Sequence, residues 1–324
     1  MKRLLTTLIL AAVGMGSALA VDDNSVEIAF DGTSATVTIA DNIKSYITNN
    51  SSGSHVKLVQ SDKVVEILGN ENKEIIYYLS GTSADGEFYL EGSYKASVVL
   101  NALTLTNPSG PAINIQNGKR INISVKNETE NSLTDGANGD WKGCFVCKGH
   151  TKFKGKGKLT VNGKSANGIW SKEYVEIKNC TINIPSAVKD GLNCNQYFLM
   201  ESGTLNITNP GDDGIQVSYK DNPPTKEEDT GIFTQKDGTI SISGAAFYCV
   251  KADADIQFNG GTQDFDTKNI LPNAASTGIS NVKAEGIGEA EGVYDLNGRR
   301  VTETGNRKGI YIIKRKDKTT KVIR

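Results

Sequence analysis

A strand-like sequence repeats between Gly143 and Thr262 at a nearly constant interval, and this repeat limits the folds open to the chain. The copies begin at Gly157, Cys180, Gly203, Gly238 and Gly261. The intervals are 23, 23, 35 and 23 residues, and the long one becomes 23 once an insertion at 219–230 is set aside. A fixed period of this length indicates stacked units of one kind.

Apolar and polar residues alternate with period two inside each unit, which is typical of strands. Three short strands and their turns fit one repeat, so we predict an all-β fold, a right-handed parallel β-helix with one coil per repeat. Residues one period apart then stack about 4.8 Å apart along the solenoid. The predicted inward ladders are Leu159, Ile182, Leu205 and Ile240; Val161, Ile184, Ile207 and Ile242; Phe145, Ile169, Leu192, Ile215 and Val250; and Cys147, Ser171, Cys194, Val217 and Ala252.

The rest of the chain divides around this solenoid. Residues 1–20 have the charged start, short apolar run and small-residue end of a secretory signal peptide. No later stretch is long and apolar enough for a membrane span, so we expect an exported protein that is secreted or held at the outer cell surface. The predicted segments are the signal peptide (1–20), an N-terminal cap with entry coils (21–94), the β-helix (95–263), a linker (264–276) and a small C-terminal β domain (277–324).

Composition excludes some classes of partner and cofactor. The net charge is −1, so nothing points to nucleic acid. Cys147 and Cys194 are two coils apart, about 10 Å, which is too far for a disulfide. We expect the five cysteines to be small buried residues. The spacing of Cys144 and Cys147 suits zinc, but there is no second cysteine pair and the chain has 2 histidines.

A column of acids marks a candidate metal site. Asn167, Asp190 and Asp213 occupy the same position in successive coils, with Asp212 beside them. Stacked carboxylates repel unless a cation lies between them, and calcium prefers such oxygen ligands. The alternative is that Asn or Asp caps a turn while the following Gly supplies a positive φ. The insertion contains three acids, Glu227, Glu228 and Asp229. We expect them to form a solvated loop tip, and the alternative is that they add ligands to the calcium ion.

An outward column beside these acids is a candidate ligand site. It contains Trp170, Asn193, Gln216 and Lys251. Aromatic faces with amide and cationic neighbours suit sugar rings and uronate carboxylates. Tyr174 and Tyr197, which share a second column, are added to this site as ligand-binding candidates, although these two rings would equally serve to cover an edge of the core.

The C-terminal segment resembles a targeting domain. The residues "VYDLNGRRV", from Val293, and "KGIYII", ending at Ile313, are similar to the C-terminal sorting domains of secreted Bacteroidetes proteins. The resemblance implies export to or beyond the outer membrane, with a secretion machinery as partner.

A second resemblance covers residues 75–262. The stretches "YYLSGTSADGEF", "LNALTLTNPSGPAINIQNGKRINISV", "FKGKGKLTVNG" and "GDDGIQV" together resemble bacterial carbohydrate-binding β-helix proteins related to polysaccharide lyase family 9. The resemblance implies binding of acidic polysaccharide and cellulose, with calcium held on the solenoid. The chain departs from the family pattern where Phe247-Tyr248-Cys249 replaces Asp-Asp-Gly.

These observations predict non-catalytic, calcium-assisted binding of an acidic or plant-type polysaccharide. The first alternative is a pectate-type polysaccharide lyase, whose chemistry needs a base and a neutralised carboxylate. Lys189 and Lys251 are the candidate bases, but no spacing singles out either one, and surface lysines are usually only solvated. The second alternative is a structural or adhesive surface solenoid.

Overall fold

The computed structural model describes residues 21–69, 72–221 and 223–272, together with the backbone of three strands near the C-terminus. The chain divides into two compact units, Met1–Thr277 and Gly278–Arg324. The predicted signal peptide lies outside the described residues, as does most of the segment that resembles a sorting domain. In the described part of the chain, no helix is long and apolar enough to cross a membrane.

The first unit is a parallel β-helix with three faces, called A, B and C in the order in which the chain passes through each coil. Strands one coil apart pair in parallel, so the predicted fold class is confirmed. Face A consists of His55–Gln60, Glu87–Glu91, Ile113–Ile115, Gly143–Cys147, Asn167–Ser171, Leu192–Asn195, Ile215–Ser218, Val250–Ala252 and Ile270–Leu271. Face B consists of Ile121–Val125, Thr151–Gly155, Val175–Ile177, Tyr197–Met200, Ile232–Gln235 and Asp255–Phe258. Face C consists of Glu130–Asp135, Lys158–Asn162, Thr181–Ser186, Thr204–Thr208, Thr239–Ser243 and Thr262–Asp264.

Faces B and C begin as continuous bent strands. Ile75–Ser83 and Ala96–Asn107 pair in parallel with a register shift after Ser80. The next coil splits this long strand in two, because Ile121–Val125 pairs with its first half and Glu130–Asp135 with its second. The remaining N-terminal elements are the strands Ser25–Asp31, Ser34–Ile39 and Ile47–Asn49, the 3-10 turn Lys44–Tyr46 and the helix Val64–Leu68.

Antiparallel pairing is confined to the two ends of the described chain. Ser25–Asp31 pairs with Ser34–Ile39 on one side and, in parallel, with Ile75–Ser83 on the other. The first coil therefore does not end in a bare strand edge. In the second unit, three strands form an antiparallel sheet: Gly292–Tyr294, Ile310–Arg315 and Lys318–Ile323.

The predicted ladders form the core of the solenoid. Phe145 pairs with Ile169, Ile169 with Leu192, and the series continues to Val250. The ladder from Leu159 to Ile240 is equally in register, and its members are fully buried. One irregularity occurs on face C, where Asn162 pairs with Ser186 across a bulge. All five cysteines are free and buried, as expected from the register.

The insertion also lies where the repeat places it. In one coil, Gln196 alone separates the face A strand from the face B strand. In the next coil, the strands Ile215–Ser218 and Ile232–Gln235 are separated by residues 219–231. The extra residues therefore leave the corner between faces A and B without disturbing the register on either side.

Candidate functional site

The turn that precedes each face A strand directs an Asn or Asp side chain against the next coil. The backbone N–H of Asp190 donates to Oδ1 of Asn167 at 3.1 Å, and that of Asp213 donates to Oδ1 of Asp190 at 3.0 Å. The series ends at Tyr248, whose N–H donates to Oδ1 of Asp213 at 2.9 Å. Each of these side chains therefore joins two coils by accepting a backbone N–H of the next coil, and is not the local turn cap that the structural alternative predicted.

The glycine after each of these residues is required by close packing. None of Gly168, Gly191 and Gly214 has a positive φ, so that part of the sequence-based explanation is wrong. A Cβ atom on Gly191 would lie 2.5 Å from Cγ2 of Ile207 and 2.7 Å from the carbonyl oxygen of Gly214. The coils approach too closely at this turn for any side chain, and the aspartates of neighbouring coils are held together as a result.

Three carboxylates meet at this turn. Asp190, Asp212 and Asp213 offer oxygens that all lie within 4.8 Å of one another, and we call these residues the aspartate cluster. Asp190 and Asp213 are buried, whereas Asp212 is half-buried. Oδ2 of Asp213 is buried without a hydrogen-bond partner, and Nζ of Lys251 lies 3.4 Å away. The Lys251 ammonium offsets part of the cost of burying this carboxylate, and a bound metal cation would offset more of it.

The surroundings of the cluster shift the pKa of Asp190. Burial, together with the nearby charges of Asp212 and Asp213, raises the pKa of this carboxyl to about 6, although its hydrogen bonds act to lower it. The side-chain amide of Asn193 and the backbone N–H of Asp213 donate those hydrogen bonds. Three acids with one half-buried lysine therefore form a negatively charged, all-oxygen group of the kind that calcium prefers.

Asn167 does not join this group. Its side-chain oxygen accepts the N–H of Asp190, and its side-chain nitrogen donates to the carbonyl oxygen of Lys142 at 2.7 Å. Both ends of the amide are thus engaged with backbone of neighbouring segments. Asn167 therefore ties neighbouring coils together, and its assignment as a metal ligand stays a prediction.

Four residues in register on the outside of face A form a continuous surface with the cluster. Trp170 pairs with Asn193, Asn193 with Gln216, and Gln216 with Lys251. We call these four residues the outer strip, and all of them are half-buried. Nδ2 of Asn193 donates to Oδ2 of Asp190 at 2.7 Å, and Lys251 contacts Asp213. The outer strip and the aspartate cluster are therefore one site and not two.

A second outward column runs beside the outer strip, two residues further along each strand. Its members are Lys148, Lys172, Asn195 and Ser218, and we call it the flanking column. These residues were not among those predicted from the sequence. The signal was present, because alternation places the residue two positions after Trp170 on the same outer face.

Tyr174 and Tyr197 lie at the corner between faces A and B. The ring of Tyr174 stacks on His150 at 4.2 Å and on Tyr197 at 4.5 Å between ring centroids. Because both faces of Tyr174 are covered and it is 8% exposed, its ring has no face for a sugar. The assignment of Tyr174 as ligand-binding is therefore corrected. Tyr197 is half-buried and donates its hydroxyl to Oε1 of Glu176 at 2.7 Å on face B.

The insertion is anchored at the same corner. Lys220 contacts the buried carboxylate of Glu173, whose other oxygen lies 2.7 Å from Nε2 of His150. Burial raises the pKa of Glu173, but the hydrogen bonds and charges of His150 and Lys220 outweigh it and hold the value at about 2. Asp229 is also buried and accepts the backbone N–H groups of Lys220 and Asp221. Asp229 is therefore a loop cap, not part of a solvated tip as predicted.

The two candidate bases differ in their surroundings. The side chain of Lys189 is exposed and contacts no described acid, whereas Lys251 lies against Asp213.

Among the described residues, the aspartate cluster is the single group of three or more acidic, histidine or cysteine side chains close enough to share a metal ion. The site thus combines an acidic cluster, an aromatic ring and amide groups on one outer face.

Comparison with known proteins agrees with this description. The family model described as carbohydrate-binding domain-containing protein matches residues 61–311, which is more than half of the chain. The chain belongs to this carbohydrate-binding domain family. The match includes the aspartate cluster, the outer strip and the flanking column of this family member.

Two relatives of this family member illustrate the likeness. A carbohydrate-binding domain-containing protein from Acetivibrio thermocellus is 26% identical over 196 residues, which cover 56% of this chain and 62% of the relative. The chain thus spans less than two thirds of that relative's length. A solved structure, described as the polysaccharide lyase-like protein from C. thermocellum in a gadolinium derivative, superimposes with a TM-score of 0.58. It is 23% identical, covers 74% of this chain and 94% of its own, and shows a shared fold.

Proposed function

We propose that this protein is exported and binds an acidic or plant-type polysaccharide along face A, with calcium held by the aspartate cluster and without cleaving the polysaccharide. The observation that carries the proposal is the continuity of the aspartate cluster with the outer strip. Asn193 and Lys251 each belong to the strip and each contact an aspartate. A cation at the cluster would therefore act on the same surface as the sugar.

Calcium fits the residues of the cluster. The ligands would be carboxylate oxygens of Asp190, Asp212 and Asp213, including Oδ2 of Asp213, which accepts no hydrogen bond and lies 3.4 Å from Nζ of Lys251. Bound calcium would supply positive charge at a surface where three acids otherwise repel a uronate. Trp170 supplies an aromatic face, and the amides of Asn193 and Gln216 suit sugar hydroxyls.

The test is retention of the purified mature protein on immobilised polygalacturonate, with calcium and with a chelator. Ultraviolet absorbance of unsaturated uronide is followed in the same samples. We expect retention in calcium, loss in chelator and no rise in absorbance. Rising absorbance would make the protein a polysaccharide lyase and direct attention to Lys189 and Lys251. No retention in either buffer would refute binding of this acidic polysaccharide and favour a structural or adhesive solenoid.

Variants locate the site. Trp170→Ala should weaken retention about fivefold to thirtyfold, since loss of one aromatic contact costs about 1–2 kcal/mol. Leu199→Ala, an outward half-buried residue on face B, is the matched control and should bind as the wild type does. Unchanged binding of Trp170→Ala would exclude the outer strip as the site.

Export is part of the proposal and has its own test. Residues 1–20 have the pattern of a signal peptide, and the C-terminal segment resembles a sorting domain read by a secretion machinery. We expect the mature N-terminus at Val21 and the protein outside the cell or on its surface. An N-terminal sequence that begins at Met1 in protein purified from its native host would contradict it.

A further inference from the structure

The flanking column places two lysines side by side on the outside of face A. Cys147 pairs with Ser171, so the lysines that follow them, Lys148 and Lys172, occupy the same position in neighbouring coils. The N–H of Lys172 donates to the carbonyl oxygen of Cys147, which continues the ladder as far as these residues. Both lysines are exposed. Their backbones are therefore about 4.8 Å apart, with both side chains directed outward.

No described acid neutralises this pair. Within the flanking column, the acids are Glu91, two coils before Lys148, and Asp253, three coils after Lys172. Glu173 follows Lys172 in the chain, but its carboxylate is buried and contacts His150 and Lys220. The two ammonium groups thus face solvent together, and like charges in neighbouring strands are destabilising.

Lysines on face B are arranged differently. Lys152 lies 2.7 Å from Glu176, and Lys178 lies 2.8 Å from Glu201, each pair joining neighbouring coils. A glutamate thus lies beside the lysine at these two positions of face B, whereas Lys154, next to Lys178 in the same column, contacts no described acid. The absence of such a glutamate from the described surroundings of Lys148 and Lys172 leaves these cations available for an external anion.

We propose that Lys148 and Lys172 select the carboxylate groups of the polysaccharide that lies against Trp170. Trp170 and Lys172 are two residues apart on one outer face, and Lys148 lies one coil away. A sugar ring stacked on the indole would thus have two cations within reach of its carboxylate. The inference rests on the proposed function. It adds the residues that select an acidic polysaccharide, and these residues are separate from the calcium ligands.

The test compares one polymer in two charge states. Binding is measured on polygalacturonate and on fully methyl-esterified polygalacturonate, which has the same backbone without free carboxylates. The test variant is Lys148→Gln with Lys172→Gln. The matched control is Lys154→Gln with Lys156→Gln, which removes two exposed lysines that contact no described acid, at the end of the face B strand Thr151–Gly155. Calcium binding is measured for each protein by titration calorimetry.

We expect the test variant to bind polygalacturonate about tenfold less tightly or worse, because two charge-assisted contacts are lost. Its binding to the methyl ester, its calcium affinity and its melting temperature should match those of the wild type. The control variant should bind both polymers as the wild type does.

Other outcomes overturn the inference in distinguishable ways. If the test variant binds polygalacturonate as tightly as the wild type while Trp170→Ala binds weakly, the lysines are not part of the site. The proposed function would then still stand. Equal weakening in the test and control variants would indicate a general charge effect and no selection at these lysines. Failure of the wild type to bind either polymer would overturn the inference and the proposed function together.

Discussion

Faces A and B are built by the same ladder and differ in how their outer charges are satisfied. On face B, lysines and glutamates of neighbouring coils pair with one another, as Lys152 and Glu176 do. On face A, two lysines of the flanking column contact no described acid, and the buried Oδ2 of Asp213 accepts no hydrogen bond and has Lys251 as its ion-pair partner. The same backbone geometry thus supports paired charges at Lys152 and Lys178 of face B and two unpaired lysines beside Trp170 on face A.

The difference separates residues that hold the solenoid together from residues that are free to bind. In-register stacking places each outward residue about 4.8 Å from the corresponding residue of the next coil. Opposite charges at these two positions stabilise the solenoid, and like charges repel each other. A chain that retains unpaired charges on one face accepts that cost in stability. Sites of ligand binding are where such a cost is expected.

The largest effect should come from the aspartate cluster. Asp213→Asn keeps the oxygen that accepts the N–H of Tyr248 but removes the charge of the side chain. We expect wild-type protein to gain about 2.7 kcal/mol of stability at a calcium concentration about a hundred times Kd, and the variant to gain almost none. Thermal unfolding with calcium and with chelator measures this difference. An equal gain in both proteins would show that calcium binds elsewhere. The aspartate cluster would then no longer distinguish face A from face B.

A smaller effect is expected at the corner where the two faces meet. The pKa of Glu173 is held at about 2, below its ordinary value of 4.5, so the folded state favours the charged form. Its contribution to stability is therefore present above pH 4.5 and is lost as the pH falls towards 2. Glu173→Gln should reduce stability at pH 6 by about 2 kcal/mol, because Lys220 loses its partner. Urea unfolding curves of the two proteins should converge as the pH approaches 2.

A control for this corner is available in the insertion. Glu227 is exposed, so Glu227→Gln should leave the unfolding curves unchanged at every pH. A constant difference between wild type and Glu173→Gln from pH 6 to pH 2 would contradict the assigned charge interaction. It would indicate that the substitution acts through packing alone.

The smallest effect should come from face B. Glu176→Gln removes the partner of Lys152 at a half-buried position, and surface ion pairs contribute under about 1 kcal/mol. We expect a slight fall in the free energy of unfolding and no change in polysaccharide binding. A double-mutant cycle with Lys152→Met measures the coupling. A loss of binding in Glu176→Gln would mean that face B also contacts the ligand, and the comparison of the faces would fail.

The sequence alone determined the spatial neighbours in the solenoid. In a parallel β-helix the residue one coil away is one period away in the chain, so counting 23 residues from Ile169 finds Leu192. The same arithmetic found the inward ladders, the place of the insertion and the outer strip. It also brought Asp190 and Asp213 together, because periodic register converts sequence distance into spatial distance.

The tertiary structure decided how the side chains at turns and in the insertion are used. Periodicity says that Tyr174 and Tyr197 share a column, but only the packed structure shows that His150 covers the other face of Tyr174. Similarly, Lys220 reaches Glu173 from inside the insertion, where no period applies. The buried oxygen of Asp213 follows from how closely the turns of neighbouring coils pack. Register is a one-dimensional property of the repeat, whereas burial and partner choice depend on three-dimensional contacts between non-repeating residues.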